Sequence, residues 1–508
     1  MSYSQYNYTT ANQTKLRTPK DYAPVSGMCT VCTQDCPGPC EIGQSALKGS
    51  EVLYPTERAT SQAASDKDYP VDFSHLNING RCFGMEGTEQ GKLAYCHVDL
   101  SCEIGAGEEK IKLKAPYIFP AIAKLNWKGY YGGAALAGVM AVIGEDMPTT
   151  DSRSVIRNGK VESLPMLKEM HEAFYRYNQG YGALFLQANP DDDRLRLLEY
   201  AVNVVGFEAV ELKVAQAAKG IQGMGKIPSL EKAIDLKYKG YEVFPDPENP
   251  DVQVDYRNGR GEPFYKIGRL PDWEEAWLLE RVKSLRKMGV KYISLKTGPF
   301  RIEDTAKLLM MASKADVDLV TVDTAGGGTG NSPIRMMNEW GYPAVYMQSI
   351  LSKICMKMRN RGLKIPSIAI AGGFASEDQV FKGLALGSPF INIIGMGRAP
   401  MAAAMVGNTA ELKINEEERA VNELTPLKRI YGEKAFTIPS GGLGVYQYIQ
   451  KINIGLQQLM ALCRKYNLGT INQEDLIPLT KEAADITGLP WMESDKAWTE
   501  VDRMMDEG

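Results

Sequence analysis

The 508-residue sequence holds only three histidines, His75, His97 and His171, which argues against a multi-histidine metal centre or a mechanism built on several imidazole bases. It has no basic run dense enough to follow a phosphate backbone, and its formal net charge is −4, which argues against nucleic acid as a partner. The first twenty residues contain no apolar signal core, and the most apolar late stretch, 389–407, is interrupted by Arg398 and several glycines. A cytoplasmic protein without membrane spans is expected. No repeat of solenoid period occurs, and no strand is followed by GxGxxG, so a Rossmann domain of its own for a pyridine nucleotide is not expected.

What is present is ordinary globular material, 44% hydrophobic and 24% charged, enough to bury a large core in two or three units. Nine cysteines are spread unevenly, seven of them before residue 103. Residues 1–112 mix glycine, proline, cysteine and polar residues without sustained periodicity, which predicts an irregular unit held by metal. Cys29, Cys32, Cys36 and Cys40 offer four thiolates within twelve residues, a spacing that suits a [4Fe–4S] cube or zinc. Cys82, Cys96 and Cys102 are a looser trio: ligands of a second iron–sulfur cluster, or ordinary thiols.

From Lys114 onward, short β-rich runs alternate with helical patterns. Strands are predicted at 117–123, near 147–150, and at 182–187, 209–216, 292–298, 319–326, 367–373 and 390–397. Eight strands alternating with helices predict an α/β fold, a (β/α)8 barrel over 113–407, with a doubly wound open sheet as the other architecture. A glycine-, proline- and tyrosine-rich insertion at 219–273 follows the fourth strand, on the side where barrels keep their lids. Residues 408–508 read as a helical extension.

Chemistry-bearing residues gather at the predicted strand ends. Asp323 opens a run through Gly326, Gly327, Gly328, Thr329 and Gly330, a backbone that can press against a flat or anionic ligand, or simply a flexible turn. The loops after strands seven and eight carry Gly372 and Gly373, then Gly395, Gly397 and Arg398, where barrels bind a phosphorylated cofactor. A phosphosugar would fit such loops as well. Lys213 and Lys296 close strands four and five, placed to stabilise negative charge on a reduced flavin or else to be neutralised by Glu211 or Asp323.

These motifs resemble a known family. ELKVAQAAKGIQGMGK (211–226) is similar to the IEIKxxQGAKPGxGG stretch of the FMN-binding synthase domain of glutamate synthases, and DTAGGGTGNSP (323–333) to its GHDGGTGASP loop. The order agrees from a Tyr131-Gly132-Gly133 turn through GEDMPTTD (144–151), and 471–488 resembles the tail of stand-alone members that lack a glutaminase domain. The resemblance implies FMN on the barrel's catalytic face, held by Tyr131, Gly132, Lys213, Gln216, Lys296 and the glycines and arginine named above. Lys296, Asp323, Lys219 and Glu145 would orient substrate and move protons. It implies reductive amination of a 2-oxo acid, 2-oxoglutarate to glutamate, with electrons from ferredoxin or a partner subunit and ammonia from solution or a glutaminase subunit. Two departures leave an N-substituted glutamate synthase subunit, another amine-forming reaction, or an electron-transfer subunit open. The family's His-Asp is replaced by Asp323-Thr324-Ala325, and its cysteines after strand eight are absent.

Overall fold

The computed structural model describes residues 41–49, 67–89, 91–122, 125–215, 224–327, 332–414 and 425–507. Eight parallel strands close in chain order: β1 Tyr117–Ile122, β2 Met140–Ile143, β3 Leu184–Ala188, β4 Ala209–Lys213, β5 Tyr292–Thr297, β6 Leu319–Asp323, β7 Ser367–Ala371 and β8 Ile391–Gly395. Ile394 and Gly395 of β8 pair with Tyr117 and Ile118 of β1, so the sheet has no edge and the open-sheet alternative falls. One strand is corrected. The second is Met140–Ile143, and Met147–Thr150 is a single helical turn. The Tyr131-Gly132-Gly133 turn is also corrected, since these residues lie inside helix α1, Trp127–Ala137.

The barrel interior changes character along the strands. Near the strand starts, Ile118, Met140, Phe185, Leu319, Ala369 and Ile393 form an apolar layer, sealed from below by Ile104, Ile111 and Leu113 of the hairpin 102–113. Two residues further along, alternation turns Gln187, Glu211, Ser294 and Thr321 inward, all buried. The next positions inward are Lys213, Lys296 and Asp323. Both lysines and Asp323 are therefore gathered at the C-terminal mouth, where barrels carry their chemistry, with Glu211 one layer beneath.

Six further helices bear on the site: α2 Pro165–Tyr175, α3 Glu275–Lys287, α4 Ile302–Lys314, α5 Ala344–Arg359, α6 Glu377–Gly387 and α7 Arg398–Thr409. The long α8, Ser440–Leu462, crosses both α1 and α7 through glycine faces. A methyl group added at Gly444 would fall on the Ala403 carbonyl, and one at Gly129 would lie 2.8 Å from the Gly441 carbonyl carbon. Within 219–273, the described part forms a three-stranded antiparallel sheet of Met224–Ile227, Phe264–Ile267 and Glu242–Phe244. The N-terminal strand Leu76–Ile78 pairs antiparallel with Leu476–Pro478, joining the two ends of the chain. Among the described residues, no helix is long and apolar enough to cross a membrane.

Replacing Gly444 by valine forces α7 and α8 apart. The expected loss is about 1–3 kcal/mol of stability, measured by denaturant unfolding.

Candidate functional site

The mouth of the barrel is organised around two buried lysines on adjacent strands, Lys213 opposite Lys296 in the β4–β5 register. A buried ammonium needs a counter-charge. Lys213 finds it in Glu145, from the loop after β2, and Lys296 lies 3.7 Å from the Asp323 carboxylate at the end of β6. Beneath them Glu211 accepts hydrogen bonds from Gln187 (2.6 Å) and Ser294 (2.9 Å). Burial pushes its carboxyl above the usual range, opposed by Lys296, the two hydrogen bonds and Lys213.

A cavity of about 410 Å³ opens above this floor. Lys296 and Asp323 line it from below, the end of β1 (120–122) on one side, and the loops after β6, β7 and β8 on the other, including Gly327, Gly372, Gly373, Gly395, Gly397 and Arg398. Some of these glycines pack against each other. A Cβ at Gly372 would collide with the Thr324 hydroxyl, and one at Gly326 would meet the Gly372 carbonyl at 2.8 Å. Others face open space: at Gly397 the nearest atom to a Cβ is Pro120 Cδ at 3.9 Å, and at Gly373, where φ is +91°, it is Gly326 O at 3.6 Å. Helix α7 begins here without a side-chain cap, so its first amides have no side-chain acceptor at the cavity rim. Arg398, its first residue, is exposed and has no acidic partner among the described residues. Open backbone, an uncapped helix start and a cation together suit a phosphate group.

Two other elements reach the back of these loops. Tyr69 donates to the Ala325 carbonyl (3.1 Å), and Phe73 packs its ring 5.3 Å from that of Phe374, a cavity residue. Residues 69–73 thus lie directly behind the glycine loops. From α8, Tyr448 donates to the Ala375 carbonyl (2.8 Å).

Not every expected residue lines the cavity. Lys213 sits one strand beyond it, against Glu145. The Tyr131 hydroxyl donates to the Ile122 carbonyl, so this residue supports the end of β1 from within α1, while Gly132 faces Tyr177 and Ala173 instead. Gln216, Lys219, Gly328, Thr329, Gly330, Cys29, Cys32, Cys36 and Cys40 lie outside the described residues. Cys82 and Cys96 are exposed and Cys102 is half-buried in the hairpin. Among the described residues, no group of three or more His, Cys, Asp or Glu side chains is gathered to hold a metal.

Sequence reasoning missed a second polar cluster beside Glu145. Asp146 accepts from Lys266 of the insertion sheet (2.7 Å) and from Asn189 (3.1 Å), while its backbone N–H donates to Asp192 (2.9 Å). Arg269 pairs with Asp191, so the insertion is clamped to the loops after β2 and β3. Lys266 and Asp146 are 120 positions apart, and no local pattern announces them. Asp192 is fully buried, and burial, reinforced by Asp146, pushes its carboxyl well above the ordinary range. A carboxyl whose folded pKa exceeds its unfolded value contributes stability below the unfolded pKa and loses it as pH rises through the folded one. Asp192→Asn removes that loss, so its stability relative to the parent should be greater at pH 8 than at pH 5, as read by urea unfolding at both values.

Residues 263–408 match the family model described as the conserved region in glutamate synthase. A glutamate synthase large subunit-like protein of Bacillus subtilis (strain 168) is 26% identical over 191 residues, 37% of this chain and 32% of the relative. An archaeal-type glutamate synthase [NADPH] of Thermotoga maritima is 25% identical over 188 residues, 36% of this chain and 33% of the relative. The matched stretch thus spans about a third of the length of these relatives. Among solved structures, the flavin-binding domain of baker's yeast flavocytochrome b2 is 16% identical with a TM-score of 0.46, covering 84% of this chain and 81% of that one. The matched region runs from the insertion's last strand through β5 to α7 and takes in Lys296, Asp323, the paired glycines and Arg398, so this half of the barrel is similar to the conserved region of glutamate synthases.

Proposed function

We propose that this chain is an FMN-dependent oxidoreductase that forms an amino acid by reductive amination of a 2-oxo acid, 2-oxoglutarate to glutamate. The observation that carries the reading is the cavity, with an anion-seeking rim at Arg398 and a buried lysine at the other end. FMN bound there would supply two-electron transfer to substrate and one-electron exchange with an iron–sulfur centre. Arg398, the first amides of α7 and the open backbone of Gly373 would hold its phosphate. Lys296 would face the ring edge that gains negative charge on reduction, and its ion pair with Asp323 fixes the ammonium in place. Asp323, at the cavity floor, would hold the proton exchanged with substrate nitrogen.

Electrons would enter through a [4Fe–4S] cluster on Cys29, Cys32, Cys36 and Cys40, from ferredoxin or a donor subunit. Contacts of Tyr69 and Phe73 behind the glycine loops support that route, since both residues belong to the same N-terminal region as these cysteines. Ammonia would come from solution or from a glutaminase subunit. A second reading is favoured by one observation. The Thr324 hydroxyl, where the family has a polar pair, is buried and donates to the Ala371 carbonyl at 2.9 Å, so it faces away from substrate. A different amine, giving an N-substituted glutamate, would then be accepted.

Anaerobically purified protein should show flavin absorption bands with iron and sulfide near four each per chain. After reduction, 2-oxoglutarate with ammonium should speed flavin reoxidation. Reoxidation at the same rate with and without substrate sinks the glutamate reading, and methylamine in place of ammonium tests the second. Arg398→Ala should weaken FMN retention by about 1.5–3 kcal/mol, roughly ten- to hundredfold, as measured by equilibrium dialysis.

A further inference from the structure

Two apolar surfaces have no partner among the described residues, and their shapes and charges correspond. The first is the C-terminal helix α9, Asp495–Glu507. Trp498, Met504 and Met505 are 54%, 64% and 76% exposed, and with Val501 they recur at helical spacing on one face. Asp495, Asp502 and Asp506 are separated by seven and then four residues, which places them in a single acidic row along one edge of that face.

The second surface is a groove of about 490 Å³ between α4 and α5. Its floor is almost wholly apolar, formed by Ala306, Met310, Ile350, Ile354 and Met358. One rim is basic: Lys353, Lys357 and Arg361 stand four residues apart along α5 and just past its end, all exposed. No carboxylate among the described residues pairs with Lys353 or Lys357, and Glu303 is the sole acidic lining residue. An apolar groove open to water with an unneutralised row of cations is costly to leave bare.

We propose that α9 of one copy of this chain lies in the α4–α5 groove of a second copy, and that the exchange is reciprocal. The apolar face from Trp498 to Met505 is about 10 Å long at 1.5 Å per residue, and the basic rim from Lys353 to Arg361 about 12 Å. A helix laid along the groove therefore buries its aromatic and methionine side chains on the floor and sets its aspartate row against the lysines. Methionines on both surfaces adapt to each other's shape. Reciprocal exchange closes as a two-fold dimer and doubles the buried area, leaving neither surface exposed.

The test is sedimentation of the full chain over a wide concentration range, with tryptophan fluorescence recorded in parallel. The full chain should be a dimer with Trp498 shielded from quencher, and a chain ending at Ser494 should be a monomer whose circular dichroism falls only by the contribution of the missing helix. Lys353→Glu with Lys357→Glu should weaken the dimer by roughly tenfold or more. Adding Asp502→Lys with Asp506→Lys should restore it, a rescue that misfolding cannot mimic. A monomer at every concentration overturns the proposal, as does a dimer untouched by the truncation. So does a monomer whose Trp498 is shielded until Met310→Asp exposes it, which would seat the helix in its own groove.

Discussion

Two lysines held beneath the mouth of a barrel set the terms for everything around them. A buried ammonium is costly without a carboxylate beside it, and Lys213 and Lys296 each receive one from a different element. The loop after β2 must therefore turn inward to bring Glu145, and β6 must end on Asp323. Glu211 lies below both ammonium groups and is tied by Gln187 and Ser294, so the charges form one connected set across four strands. Removing one partner would strand another charge in a dry place, which is why such a set behaves as a unit. The cavity above inherits a fixed positive point on its floor.

The opposite end of the cavity is positive for another reason. There the charge comes from the uncapped start of α7 and from Arg398, and its position depends on how α7 packs. Helix α8 presses α7 and α1 together through glycines that leave no room for side chains. The C-terminal part of the chain thus positions the anion-seeking rim, although none of its residues carries the charge.

The sequence made the barrel legible because its strands are β-rich runs ended by glycine, and because the lysines and glycine pairs stand at strand ends in the right order. It concealed β2, since Met140–Ile143 is only four residues long and is parted from the alanine-rich end of α1 by just Gly138 and Val139. Tyr131-Gly132-Gly133 read as a turn because paired glycines usually mark one. Here a Cβ at Gly133 would collide with Val445, so small size within a helix is what α8 requires. Lys266 and Asp146 show the other limit, an ion pair between distant segments that no local pattern can reveal.

The pairing of Leu76–Ile78 with Leu476–Pro478 has a consequence for how the molecule is made. A ribosome delivers the first strand some four hundred residues before its partner, and the bridges from Glu86 to Lys465 and from Asp99 to Asn467 wait equally long. Until then the barrel can close and fill its mouth, with residues 67–78 held to it through Tyr69 and Phe73, and the C-terminal strand is the clasp that arrives last.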